Sequence, residues 1–220
     1  MKPDQTIKWI FFDVGSTLVD ETEAYDQRVR DVIAGTDITF EQFDSVRIAL
    51  ARQGFDGNSA AIKYFGLTKT PWHSEDEIPY SDAKSTLAAL SQMGYKLGII
   101  ANQKLGTAER LENWGLRQYF DVIAASAEIG YAKPDKRIFE AALEMAGCTA
   151  RESVMVGDRL DNDMIPAKAL GMKTVWIKNG LAQYQSEELG KDVADVQIAS
   201  LSELLVVDLL VIESPTRKNG

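Results

Sequence analysis

Four residues far apart in the chain share one setting. Asp13, Asn102, Lys133 and Asp158 each stand just beyond a short apolar run, at residues 7–12, 96–101, 122–125 and 153–156. Lys133 sits in GYAKPDKRIF, and Asp158 sits in MVGDRLDND with Asp161 and Asp163 behind it. If these segments converge, two or three carboxylates meet one lysine. Asp13 and Asp158 would repel, and one would take up a proton unless a cation lay between them. Mg²⁺ suits such a place: it prefers oxygen ligands, keeps several waters, and is usually held by one or two carboxylates plus substrate phosphate. Lys133 would offset charge on an attacking carboxylate and on an incoming phosphoryl oxygen.

Convergence needs a parallel sheet, and the pattern predicts one. Residues 7–12 read as a buried strand. Helical patterns over 23–33, 40–52 and 58–65 follow without any strand between them, the second opened by a capping box at Thr39 and Gln42. The Pro-flanked stretch TKTPWHSEDEIPY leads back. From there helices (82–93, 107–114, 136–146, 164–170) alternate with strands (96–101, 122–125, 153–156, 174–177), and DVQIASLSELLVVDLL adds a short strand and a helix. Such alternation predicts right-handed βαβ units. The expected fold is α/β: a doubly wound, Rossmann-like parallel sheet over 1–19 and 79–220, with an inserted all-helical cap over 20–78. Ligands bind at the carboxyl ends of strands in such sheets, which is where the four residues fall.

Bulk properties narrow the function. With 220 residues and a net charge of −9, the chain offers no basic face for nucleic acid or for an anionic membrane. It has no apolar stretch long enough to span a bilayer and no signal-peptide pattern. Cys148 is the only cysteine, so no internal disulfide forms, and a cytoplasmic location is expected. The polar tail-end stretch ESPTRKNG reads as frayed. No feature sets an oligomeric state.

Asp13-x-Gly15-x-Thr17, Lys133-Pro134-Asp135 and Gly157-Asp158 with Asp163 resemble three motifs of the haloacid dehalogenase-like (HAD) hydrolase superfamily, in order and over almost the whole chain. The helical insert resembles its type-I cap. The resemblance implies a two-step hydrolysis of a small phosphorylated substrate: Asp13 attacks phosphorus, and water then cleaves the aspartyl-phosphate. It implies Mg²⁺ held by Asp13, the Gly15 backbone carbonyl and Asp158. Asp163 would orient a metal water or Lys133 from outside, with Thr17 also in the outer shell.

Two departures stand out. Relatives usually carry an acid/base aspartate where this chain has Gly15, and a phosphate-binding hydroxyl where it has Ala101. Asn102 or a backbone N–H is the expected substitute for the second. Losing general acid–base help costs about 10²–10⁴-fold, so a phosphatase of reduced or unusual scope is expected. A 2-haloacid dehalogenase acting on a halogenated substrate is the alternative enzyme, for which Arg47 and Arg52 are the cap arginines to place. A non-catalytic metal- or phosphate-binding protein is the other. A phosphonate hydrolase would need a cap lysine, and Lys63 and Lys69 lack supporting context. Several residues read more simply as structure. Ser16 and Thr17 satisfy turn backbone, Asp161 caps a helix, and Trp72, Trp114 and Met145 pack. His73 and the run Glu75-Asp76-Glu77 are expected in solvent.

Overall fold

The structure is a computed structural model that describes residues 7–207; the ESPTRKNG tail and the end of the last expected helix lie outside the described residues. Its strands are β1 (Trp9–Phe12), β2 (Val19–Asp20), β3 (Ile78–Pro79), β4 (Lys96–Ala101), β5 (Val122–Ala125), β6 (Ser153–Gly157), β7 (Lys173–Ile177) and β8 (Val196–Ile198). Six of them form one parallel sheet in the order β5-β4-β1-β6-β7-β8. The order reverses at β1, which pairs with β4 on one side and β6 on the other. This is the expected α/β doubly wound sheet, and the reversal opens a crevice beyond the end of β1.

The apolar run of β1 is continuous because both of its faces are covered, as in parallel sheets generally. Ile10 and Phe12 enter one core cluster with Leu87 and Leu90 of α4 (Ala83–Gln92) and Leu111 of α5 (Thr107–Asn113). Phe11 faces the other way, toward Ile138, Phe139 and Ala142 of α7 (Lys136–Ala146) and Ala167 of α8 (Ile165–Leu170), with the short α6 (Ser126–Ile129) preceding α7. Gly98 on β4 makes room for Phe11: a Cβ there would lie 2.6 Å from its ring.

A third cluster, separate from these two, is built within the insert. Val29 and Val32 of α1 (Thr22–Ile33), Phe43 of α2 (Phe40–Ala51), and Ala61 and Ile62 of α3 (Gly57–Tyr64) form it, with Phe43 stacked on Phe65 at 5.6 Å. The predicted capping box is present: Thr39 and Gln42 satisfy each other's backbone N–H groups. The chain enters and leaves the insert side by side, because β2 and β3 pair antiparallel through Val19–Pro79 and Asp20–Ile78.

Near the C-terminus two expectations change. A π turn over Leu160–Met164 runs into α8, shortening the helix expected from 164, and α9 (Glu187–Gly190) appears where none was expected. After β8 the described part of the final helix is a single 3-10 stretch, Leu201–Leu205.

His73 is not in open solvent as expected. Its Nε2 lies 2.6 Å from Asp31 of α1 and its Nδ1 3.3 Å from Glu75, tying the return segment to the insert. The hydrogen bond to Asp31 chiefly raises the His73 pKa, and the same bond lowers that of Asp31. A raised histidine contributes stability that is complete below its unfolded pKa and lost as pH rises through its folded value. His73→Asn should therefore lower the urea midpoint at about pH 6 and leave it nearly unchanged at about pH 9. In the core, Gly98→Ala should cost about 1–3 kcal/mol by driving a methyl into the Phe11 ring, read as a lower midpoint in equilibrium unfolding.

Candidate active site

Asp13 follows β1 directly, and its N–H donates to Val156 O at 2.9 Å, extending the β1–β6 ladder by one rung. That rung places its carboxylate beside the end of β6, where Asp158 follows Gly157. Lys133 arrives from the loop before α7 with its side chain almost wholly buried. Its Nζ donates to Asp13 Oδ1 at 2.7 Å, to Asp163 Oδ1 at 2.6 Å and to Ile100 O at 2.9 Å. An ammonium has three protons, and all three are committed.

Asn102 holds the same lysine by its backbone. Its Nδ2 donates to Lys133 O (2.9 Å) and its Oδ1 accepts from Lys133 N (2.7 Å). Asn102 thus positions Lys133, rather than standing free for the phosphate contact expected of it. Ala101 is fully buried in the core, so nothing there offers a hydroxyl.

Charge is poorly balanced in this place. Burial opposes the Lys133 ammonium, but Asp13 and Asp163 outweigh it and hold its pKa above the usual lysine value. Asp163 is pushed up to about 6, by burial first and then by Asp13, with Lys133 pulling the other way. Asp158 is raised well above the carboxylate range by burial and by its neighbours Asp163, Asp13 and Glu21. Its carboxylate makes no hydrogen bond among the described residues. Asp13, Asp158 and Asp163 each present an oxygen within 4.8 Å of the others. Hard oxygen donors with excess negative charge fit a divalent cation such as Mg²⁺. Asp163 is taken up by Lys133 and by the Arg159 N–H, which would leave the second oxygen of Asp13 and the carboxylate of Asp158 to hold one.

A family model described as haloacid dehalogenase-like hydrolase matches residues 10–177. The chain belongs to this family. Glyceraldehyde 3-phosphate phosphatase of Methanothermobacter thermautotrophicus is 30% identical to it over 230 aligned residues, covering 90% of this chain and 100% of that one. The enzyme of the same name from Methanocaldococcus jannaschii is 33% identical, covering 90% and 96%. Among solved structures, a HAD phosphatase from Thermococcus onnurineus superposes with a TM-score of 0.61 at 30% identity, covering 90% and 96%.

In this HAD hydrolase the position of Gly15 is crowded. A Cβ built there would lie 2.4 and 2.6 Å from the two carboxylate oxygens of Glu21. Glu21 precedes α1 without capping it, and accepts a hydrogen bond from Ser16 Oγ at 3.0 Å. Its pKa is raised to about 8, by burial first and then by the charges of Asp13 and Glu77. The sequence carries one sign of this residue: glutamate is an uncommon choice where Ser, Thr, Asp or Asn usually cap. Glu77, expected in solvent, is buried, with Oε1 accepting from Trp72 Nε1 at 2.5 Å and Oε2 3.6 Å from Arg110.

A cleft of about 870 Å³, counting the part open to solvent, runs from Ser16 and Asp158 to the insert, where Tyr25, Arg47, Asp56 and Asn58 line it. Arg47 is already paired, with Asp26 at 2.8 Å and Asp44 at 2.5 Å. Lys63 and Lys69 are exposed and do not line the cleft. Arg159 reaches across to Asp56 (3.0 Å) at the start of α3 and also holds Asp161, which is an ion-pair partner rather than the cap expected.

Ser16 and Thr17 do not satisfy turn backbone with their side chains. Ser16 serves Glu21, and Thr17 Oγ1 is buried without a hydrogen bond. Trp72 packs edge-on against Tyr25 at 4.7 Å and Trp114 packs on the core, as expected, whereas Met145 is exposed.

Removing the lysine should expose the repulsion it masks. Lys133→Ala should cost about 3–5 kcal/mol, as breaking a buried pair by one partner does, and Asn102→Ala about 1–3 kcal/mol for the backbone groups it orphans. Urea unfolding without added divalent cation checks both.

Proposed function

We propose that this chain is a phosphatase that hydrolyses a small phosphorylated metabolite through an aspartyl-phosphate at Asp13. The arrangement that carries the reading is the Lys133 ammonium bridging Asp13 and Asp163 beside the unbonded carboxylate of Asp158. The named activities of relatives at 30–33% identity support it.

A carboxylate needs no base to become a nucleophile at neutral pH. Lys133 fixes the orientation of Asp13, since one of its oxygens is held at 2.7 Å. Asn102 keeps the lysine backbone in register, so that neither group can swing away. Asp13, the Gly15 carbonyl and Asp158 would hold Mg²⁺, which when bound neutralises charge on the transferring phosphoryl group. Residues 20–78 serve as the cap. The Arg159–Asp56 pair, at 3.0 Å, joins cap to core across the cleft. The paired state of Arg47 weighs against a dehalogenase, which would need a free cap arginine for its carboxylate. Among the described residues no helix is long and apolar enough to cross a membrane, and the lone cysteine suits work in the reducing cytoplasm.

A panel of phosphorylated sugars and trioses, glyceraldehyde 3-phosphate included, should give Mg²⁺-dependent phosphate release. Asp13→Asn should lower the rate by at least about 10³-fold on every member. Equal rates for the two proteins would end the reading.

A further inference from the structure

Phosphoryl transfer through Asp13 needs a group to protonate the departing oxygen and to deprotonate the attacking water, and Gly15 supplies none. We propose that Glu21 is that catalytic residue, its carboxyl occupying the place left open at Gly15. The inference rests on the phosphatase reading above.

The geometry is specific. The two oxygens of Glu21 lie 2.4 and 2.6 Å from the Cβ position of residue 15, and its carboxyl carbon 2.7 Å. Those oxygen distances are close to what covalent geometry sets between the Cβ of an aspartate and its own carboxylate oxygens. The Glu21 carboxyl therefore fills the space in which a residue-15 side chain would begin. Both cannot be present at once, because a Cβ at 15 collides with Glu21.

The local backbone is arranged to hold this substitute. Ser16 has a left-handed φ of 52°, a conformation unfavourable for a residue with a Cβ, and its Oγ donates to Glu21 Oε2. Gly180 packs against Ser16 so closely that a Cβ there would lie 2.8 Å from that Oγ. Glu21 does not cap α1, so helix formation gives no account of where its side chain goes. Ser16, its hydrogen-bond donor, lines the cleft toward the insert, as does Asp158.

The chemistry balances without another reactant. In the first step an Asp13 oxygen bonds to phosphorus, the bond from phosphorus to the leaving oxygen breaks, and Glu21 gives that oxygen its proton. In the second step Glu21 takes a proton from water as the water oxygen bonds to phosphorus. The bond from phosphorus to Asp13 then breaks, releasing inorganic phosphate and returning both carboxyls to their starting states.

The test uses the full chain with Mg²⁺, p-nitrophenyl phosphate as the aryl probe and glycerol phosphate as the alkyl probe. Glu21→Gln keeps the shape and loses the proton. It should lower alkyl turnover by about 10²–10⁴-fold. With the aryl probe it should release a burst of nitrophenolate and then stall, and intact mass should show one phosphoryl group accumulating on the protein. Gly15→Asp alone should be inactive or unstable through the collision. Gly15→Asp combined with Glu21→Ser should restore alkyl turnover to within about tenfold of native, and this double variant carries the test if Glu21→Gln does not fold. Glu21→Gln that hydrolyses glycerol phosphate within about threefold of native would overturn the assignment. So would equal loss on both probes without the mass adduct, or a folded double variant that is not rescued. If native protein and Asp13→Asn are equally inactive, the phosphatase reading itself fails. If native is active, Asp13→Asn is dead and Glu21→Gln is unaffected, only the role of Glu21 fails.

Discussion

The Lys133 ammonium is the constraint on which the site depends. Its three protons go to Asp13, Asp163 and the Ile100 carbonyl, so one buried charge reads the positions of β1, β4 and the turn after β6 together. Carboxylates this close would not stay ionised side by side in a buried setting without it. The cation satisfies only part of the negative charge, and Asp158 is left with its carboxylate turned to no donor. That remainder is what makes the crevice receptive to a further positive species.

The sheet makes the gathering possible at low entropic cost. Parallel strands with both faces buried are stiff and fixed in register, and the order reverses at β1, so that the ends of β1, β4 and β6 are neighbours. Residues more than a hundred positions apart meet because the backbone ladder leaves them no other place. Asn102 adds a second fastening to Lys133 from the next strand over, through backbone atoms that substitution of the lysine itself would not change.

Much of this was legible in the sequence, for a physical reason. Strands buried on both faces must be continuously apolar, so their ends can be read as the points where polarity begins. Asp13 and Asp158 stand at such points, whereas Lys133 comes from the loop between α6 and α7. Other features leave no such trace. The β2–β3 ribbon is two residues wide and has no period to detect. The burial of Glu77 depends on Trp72 and Arg110, partners that local sequence cannot supply. Asn102 looks like any turn residue until its amide is seen bonded to a backbone 31 positions away. The crowding of Gly15 by Glu21 arises from a left-handed turn at Ser16, a conformation that serine does not advertise.

The ribbon of β2 and β3 is where the helical insert joins the sheet, and Glu21 is the first residue past it on the insert side. A core excised at that seam would carry the nucleophile, the lysine and the acidic turn, yet would have a hollow beside residue 15. A foreign insert grafted at that seam would leave the space beside residue 15 unfilled unless it brought a side chain of its own to that place.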